Sequence, residues 1–231
     1  TGCGQSGGQS SDTAANSKAE AKGQLTISML DIDQGDAVLI QTGVKNILID
    51  TGDDQYYEDG KKGKENTQLL TELQKLKIDH IDTLVMTHAH ADHIGKADKV
   101  IAQYGVKELV YNGIPSTSKY FINALKAAKA NGTQQVKVKA GDVLDFGNGV
   151  SFEIVSPSQS LIDEDTAAIK AKKKVDVNNE SVVGRLTFGN FAMLFTGDAE
   201  GPVEKDMVAS YGKKLKCQVL KAGHHGSKTS S

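Results

Sequence analysis

Tryptophan is absent from this 231-residue chain, and only two cysteines and three prolines occur in it. Cys3 and Cys217 are too few and too far apart for a disulfide framework or a thiolate zinc site. Charge of one sign is also lacking, because 27 Lys and Arg stand against 29 Asp and Glu, a formal charge of −2. Bulk electrostatics therefore give no pull towards nucleic acid, and a polyanionic substrate has to be held by a local patch or by metal. Long apolar runs are missing, so no segment of the sequence reads as a membrane span. What is present is 38% hydrophobic residues in a chain of this length, enough for a substantial core.

Residues 1–24, TGCGQSGGQSSDTAANSKAEAKGQ, carry almost no large apolar side chain and read as a flexible tether. The opening TGC fits the cleavage region of a bacterial lipoprotein signal, in which a small residue precedes the cysteine that becomes lipidated. Cys3 is thus expected to tether the protein to the outer face of a membrane, the alternative being an ordinary exposed cysteine. At the other end, HHGSKTSS stops without a terminating element, so the folded unit, residues 25–231, is expected to continue further.

From Leu25 onward, strand and helix patterns alternate. QLTISMLDID, DAVLIQT and KNILID are short, β-branched and separated by turn signals. Leu69, Leu70, Leu73 and Leu76 recur at helical spacing before the strand IDTLVMT. A helix from about Ile94 to Tyr104, a strand at ELVYN, a helix at YFINALKAAKA and strands near QVKVKA, SFEIVS, VVGRLTFG, FAMLFTG and CQVLKAG follow. Strands in two batches, interrupted by helices, predict an α/β fold of two mixed sheets packed face to face with helices outside. The polar clusters fall at the C-terminal ends of these strands, the edge where such scaffolds carry their chemistry.

The densest cluster is THAHADHIG. His88, His90, Asp92 and His93 place three of the six histidines within six residues, directly after an apolar strand. Imidazole and carboxylate donors suit Zn²⁺, Mn²⁺ or iron, and four of them can serve two metals, His88 and His90 on one, Asp92 and His93 on the other. Asp198, ending the strand FAMLFTGD, is the natural bridging carboxylate, with a helix cap as its plainer role. His224 and His225 end CQVLKAGHH; one can bind metal while the other contacts substrate or acts as an acid, and spacing does not say which. His80 precedes its strand and reads as a surface histidine.

THAHADHIG, LIDTG, TGD and HHGS stand in the chain order of the metallo-β-lactamase superfamily, which the chain resembles from about Leu25 to its end. LDIDQGDAVLI, ILIDTG, LFTGD and LKAGHHGSKTS further resemble the metallo-hydrolase domain of the ComEC/Rec2 competence channel proteins. The resemblance implies the αββα sandwich and two divalent cations, Zn or Mn, held by His88, His90, Asp92, His93, Asp198, His224 and His225, with Asp92, His224 and His225 in catalysis. One departure is Asp33, where that family's opening motif has glycine. No histidine lies between His93 and His224, so the third histidine of the lactam-hydrolysing branches is missing. Asp50 is expected behind the ligands, orienting a histidine or the loop. Asn178, Asn179 and Ser181, in VNNESVV, either contact a metal-bound water or phosphate or simply cap a strand.

Two hard cations suit phosphodiester hydrolysis. The expected activity is a phosphodiesterase or nuclease acting on DNA outside the membrane, with no obligate protein partner. The alternatives are an envelope phosphorylcholine-type esterase and a non-catalytic binding module. Lys170, Lys172, Lys173 and Lys174 are expected on a solvated helix face, with phosphate tracking as the second reading.

Overall fold

The computed structural model describes residues 23–58 and 61–230, so Cys3 and residues 1–22 of the expected tether lie outside the described residues. Chain order runs β1 (Thr26–Met29), β2 (Val38–Gln41), β3 (Asn46–Ile49), a hairpin of β4 (Gln55–Glu58) and β5 (Lys61–Glu65), then α1 (Gln68–Lys75) and β6 (Thr83–Val85). There follow α2 (Ala91–Ile94), α3 (Ala97–Tyr104), β7 (Glu108–Tyr111), α4 (Lys119–Asn131), β8 (Gln134–Lys137), β9 (Val143–Gly147) and β10 (Val150–Ser156). The last part holds α5 (Gln159–Lys170), β11 (Val183–Phe188), β12 (Phe191–Phe195), α6 (Gly201–Tyr211) and β13 (Val219–Leu220).

Two mixed sheets form, one in the order β1-β2-β3-β6-β7-β8 and one in the order β13-β12-β11-β10-β9. In the first, β1 to β3 are antiparallel and β3, β6, β7 and β8 parallel. In the second, only β13 runs parallel to its neighbour.

Alternation along each strand explains the layers. Val38, Ile40, Ile47, Ile49, Val85 and Val110 point between the sheets, where they meet Phe146, Phe152, Leu186, Met193 and Phe195. The intervening Leu39, Leu48, Leu84 and Leu109 point outward and are covered by Leu69 and Leu73 of α1, Val100 and Ile101 of α3 and Ala124 and Ala128 of α4. Strands buried on both faces lose the polar half of the usual alternation, which is why these segments read as apolar runs. On the far side, Val183 and Leu194 pack against Val203 and Met207 of α6. The expected face-to-face sandwich with outer helices is what the chain forms.

Three elements differ from the sequence reading. The helix expected from about Ile94 to Tyr104 begins only at Ala97, after the separate short α2, because the chain at Ile94 makes a parallel bridge to Gly52 and the Gly95 amide donates to the Gly52 carbonyl at 3.0 Å. That contact replaces helical hydrogen bonding at the junction. Helix α5 and the β4–β5 hairpin carry so many charged residues that their patterns escape a hydrophobic reading. The lysine run is mostly off the helix, since Lys170 ends α5 while Lys172, Lys173 and Lys174 lie exposed beyond it.

Candidate metal centre

The C-terminal ends of β3, β6, β12 and β13, with the β1–β2 loop, converge on one spot. His93 is fully buried at its centre, on the short helix that follows the β6 loop. Its Nδ1 lies 2.7 Å from Asp50 Oδ2, and its Nε2 lies 3.1 Å from Asp198 Oδ2. Asp50 in turn accepts from the Thr87 amide at 2.8 Å and the Thr87 hydroxyl at 2.6 Å. The buried carboxylate therefore fixes the loop that begins the histidine cluster and the ring at the cluster's end. Its positive φ of 59° lets the chain turn straight off β3.

His225 closes the other side. Its Nε2 is 3.4 Å from both Asp92 Oδ2 and Asp198 Oδ2 and 3.3 Å from His93 Nε2, and its Nδ1 is 3.6 Å from Asp36 Oδ1. One donor atom each from Asp36, His93, Asp198 and His225 falls within 4.8 Å of the others. Beside them, His88 Nε2 faces His90 Nδ1 at 3.0 Å and Asp198 Oδ2 at 3.8 Å. Ser181 orders this second group, accepting from the Asp198 amide at 3.0 Å and standing 3.4 Å from His88 Nδ1.

The donor set fits a divalent cation. Imidazole nitrogens face each other in two places, a contact that requires a proton or a metal between them. Asp198 Oδ1 is buried without a hydrogen-bond partner, a costly state that a cation relieves. Electrostatics point the same way. Burial alone would raise the Asp198 pKa, but hydrogen bonds from His225 and His93 hold it well below the usual carboxylate range. Asp92 sits at about 2 against the pull of burial, through His225 and His93. His225 is pushed up to about 12 by hydrogen bonds to Asp198, Asp36 and Asp92. Burial works against a proton on His93, yet Asp50 and Asp198 raise it to about 10. Protons on these rings carry, in the metal-free protein, the positive charge that the carboxylates demand. His88 differs, since burial drives its pKa well down and leaves a neutral ring.

His224 turns away from this group. Its Nδ1 is 3.0 Å from Glu200 Oε1 and 2.8 Å from Thr229 Oγ1, and its Nε2 is 3.5 Å from Asn178 Nδ2. Both histidines of the pair adopt left-handed backbone, φ 44° and 53°, and these turns send the neighbouring rings to different partners. Asn179 is also directed elsewhere, bonding Asp176 and accepting from the Glu200 amide. Asn178, instead, reaches Glu200 at 3.0 Å. His80 lies at the opposite end of β6, against Asp79.

Two residues of the site were not singled out by sequence reasoning. Asp36 stands in the quoted LDIDQGDAVLI, where a Gly-Asp pair reads as a turn. Lys221 binds Asp36 at 2.6 Å and donates to the carbonyls of Gly197 and Ala222, tying three strand-end loops together. Asp33, the departure from the glycine pattern, takes the left-handed φ of 71° itself, a conformation aspartate tolerates better than most residues.

ComE operon protein 3 of Bacillus subtilis is 33% identical over 217 residues, a match covering 89% of this chain and 26% of that protein, so the chain spans about a quarter of its relative. An exodeoxyribonuclease, WalJ of Streptococcus pneumoniae, is 28% identical over 129 residues, covering 53% of this chain and 44% of its own length. Among solved structures, a metallo-beta-lactamase from Cronobacter sakazakii superposes with a TM-score of 0.56 at 15% identity, covering 87% of this chain and 77% of that one. The model of the metallo-beta-lactamase superfamily matches residues 30–231, and the chain belongs to that superfamily.

Proposed function

We propose that the chain is a dinuclear metal-dependent phosphodiesterase that degrades DNA outside the membrane, held there through a lipidated Cys3. The observation that carries this reading is the convergence of Asp36, His93, Asp198 and His225, with His88 and His90 adjoining through Asp198. One cation would be held by the first four residues, with Asp92 close by, and a second by His88 and His90, with Asp198 shared. Zn²⁺ and Mn²⁺ both suit nitrogen and carboxylate donors. Such a pair, when bound, supplies a nucleophile at neutral pH and neutralises the phosphate charge.

The chain's own groups do the rest. Asp50 holds His93 so that Nε2 faces the centre, and Ser181 holds His88 and Asp198 in register. His224 stays outside the donor group, held by Glu200 and Thr229 through Nδ1 and by Asn178 at Nε2. Lys172, Lys173 and Lys174 stand exposed in the segment before the turn that carries Asn178, and exposed ammonium groups suit contact with a phosphate backbone. The relative named as an exodeoxyribonuclease supports DNA over other diesters.

The test is cleavage of end-labelled single-stranded and double-stranded DNA by protein loaded with Zn²⁺ or Mn²⁺, beside an Asp198→Asn variant. Metal-dependent cleavage lost in the variant is expected. Turnover of a small chromogenic diester without any DNA cleavage would contradict the DNA assignment.

A further inference from the structure

The β4–β5 hairpin takes no part in the centre, yet it rises from its rim. Gly52 donates its amide to the Asp36 carbonyl at 2.9 Å, and Asp53 and Asp54, the next two residues, root the hairpin. The hairpin gathers aromatic rings and lysines with the start of α4. Tyr57 and Lys62 are cross-strand partners. The Lys62 ammonium lies 6.0 Å from the Tyr57 ring centre and 5.9 Å from that of Tyr120, and Lys119 lies 4.6 Å from Tyr120. On the hairpin's other side, Lys64 stands 5.9 Å from Tyr56.

The phenols are tied down at their outer ends. Tyr57 donates to Asp53 at 3.1 Å and Tyr120 to Asp54 at 2.7 Å. These bonds occupy the two carboxylates at the hairpin's root, and Glu65 is paired with Lys99. Asp53 is buried and Asp54 half-buried, whereas Lys62 and Lys119 are exposed to solvent, and the rings are held in place with Tyr57 37% exposed. Fixed rings beside mobile ammonium groups are what sequence-independent binding of a single strand uses, bases stacking on the rings and phosphates meeting the cations. A duplex, with its bases already stacked, gains nothing from the rings.

We propose that the face formed by Tyr57, Tyr120, Lys62 and Lys119 binds single-stranded DNA and leads it to the metal centre. This rests on the phosphodiesterase reading. A base stacks on Tyr57 and on Tyr120, and Lys62 and Lys119 move from the ring faces to the flanking phosphates.

The test compares metal-loaded wild type with Tyr57→Ala, Tyr57→Phe and Lys62→Ala on a single-stranded oligonucleotide and on a small chromogenic phosphodiester. Tyr57→Ala is expected to raise KM for the oligonucleotide roughly tenfold and leave the small diester unchanged. Tyr57→Phe keeps the ring and is expected to behave as wild type, which separates stacking from the hydrogen bond to Asp53. Lys62→Ala is expected to weaken oligonucleotide binding and flatten its salt dependence. An unchanged KM for the oligonucleotide in Tyr57→Ala overturns the proposal. Should wild type turn over neither substrate, the phosphodiesterase reading fails, and quenching of tyrosine emission by oligo(dT) still decides the platform. That signal carries no tryptophan emission; quenching kept undiminished in a Tyr57→Ala, Tyr120→Ala double variant would overturn the platform.

Discussion

His93 Nδ1 lies 2.7 Å from Asp50 Oδ2, deep in the protein, and the pair decides which nitrogen of the ring is offered to the centre. A carboxylate behind the ring holds the proton on Nδ1 and makes Nε2 the better donor to a cation. Asp50→Asn should therefore lower divalent-metal affinity roughly 10–100-fold while the ligands themselves remain in place. Titration against a chelating dye measures this. Unchanged affinity would show that Asp50 only braces the Thr87 loop.

The pH dependence of the metal-free protein follows from the same crowding. Asp92, depressed from 3.8 to about 2, contributes stability that is present above 3.8 and lost as pH falls towards about 2. His93, raised from 6.5 to about 10, contributes stability that is complete below 6.5 and lost as pH rises to about 10, and His225, raised to about 12, acts in the same direction. Through these groups Tm in chelator should fall as pH rises above 6.5 and as it drops below 3.8, with His88, kept neutral by burial, adding to the loss on acidification below 6.5. Metal loading should extend the plateau to higher pH, because the cation replaces the protons. A Tm that climbs between pH 6.5 and 9 in chelator would contradict this assignment of charge.

Gly35 tests how closely the opening loop must approach the histidine helix. It has φ 100°, and a Cβ there would fall on the Asp92 backbone carbonyl. Gly35→Ala should move Asp36 and Asp92 apart, lowering metal affinity and thermal stability together. Gly184→Ala likewise places its Cβ on the buried Phe152 ring between the sheets, at the start of β11 and opposite Phe195. It should cost about 1–3 kcal/mol in chemical denaturation through overpacking against that ring.

Lys221 offers a further check. It bonds Asp36 and two loop carbonyls, so Lys221→Met strips the half-buried Asp36 carboxylate of its ammonium partner. The metal-free variant should unfold at lower denaturant by about 1–3 kcal/mol, and bound metal should recover part of the loss.

How much of this was legible in the sequence depends on how local each signal is. His88, His90, Asp92 and His93 announce themselves because all four lie within six residues behind a buried strand. The apolar runs at β2, β3, β6 and β12 give the layers, since both their faces are covered. Asp36 was missed because a lone aspartate after glycine is common at turns, and its partners come from three other strand ends. Adjacent His224 and His225 are indistinguishable in a string; left-handed backbone turns send one to Glu200 and the other to Asp198. VNNESVV left Asn178, Asn179 and Ser181 alike between contacting a metal-bound water or phosphate and capping a strand; the fold turns Asn179 to Asp176 and the Glu200 backbone, Asn178 to His224 and Ser181 to Asp198. The hairpin at QYYEDGKKGKE stayed hidden behind its charges, although its lysines and tyrosines are cross-strand neighbours once folded.

The most direct measurement is the rate of hydrolysis of a phosphodiester substrate as Mn²⁺ or Zn²⁺ is added back to chelator-treated protein, in wild type and in Asp198→Asn. The account predicts a rate that saturates with added metal in wild type and stays at background in the variant. Equal rates with and without metal, or a variant as active as wild type, would contradict a catalytic metal centre built on Asp198.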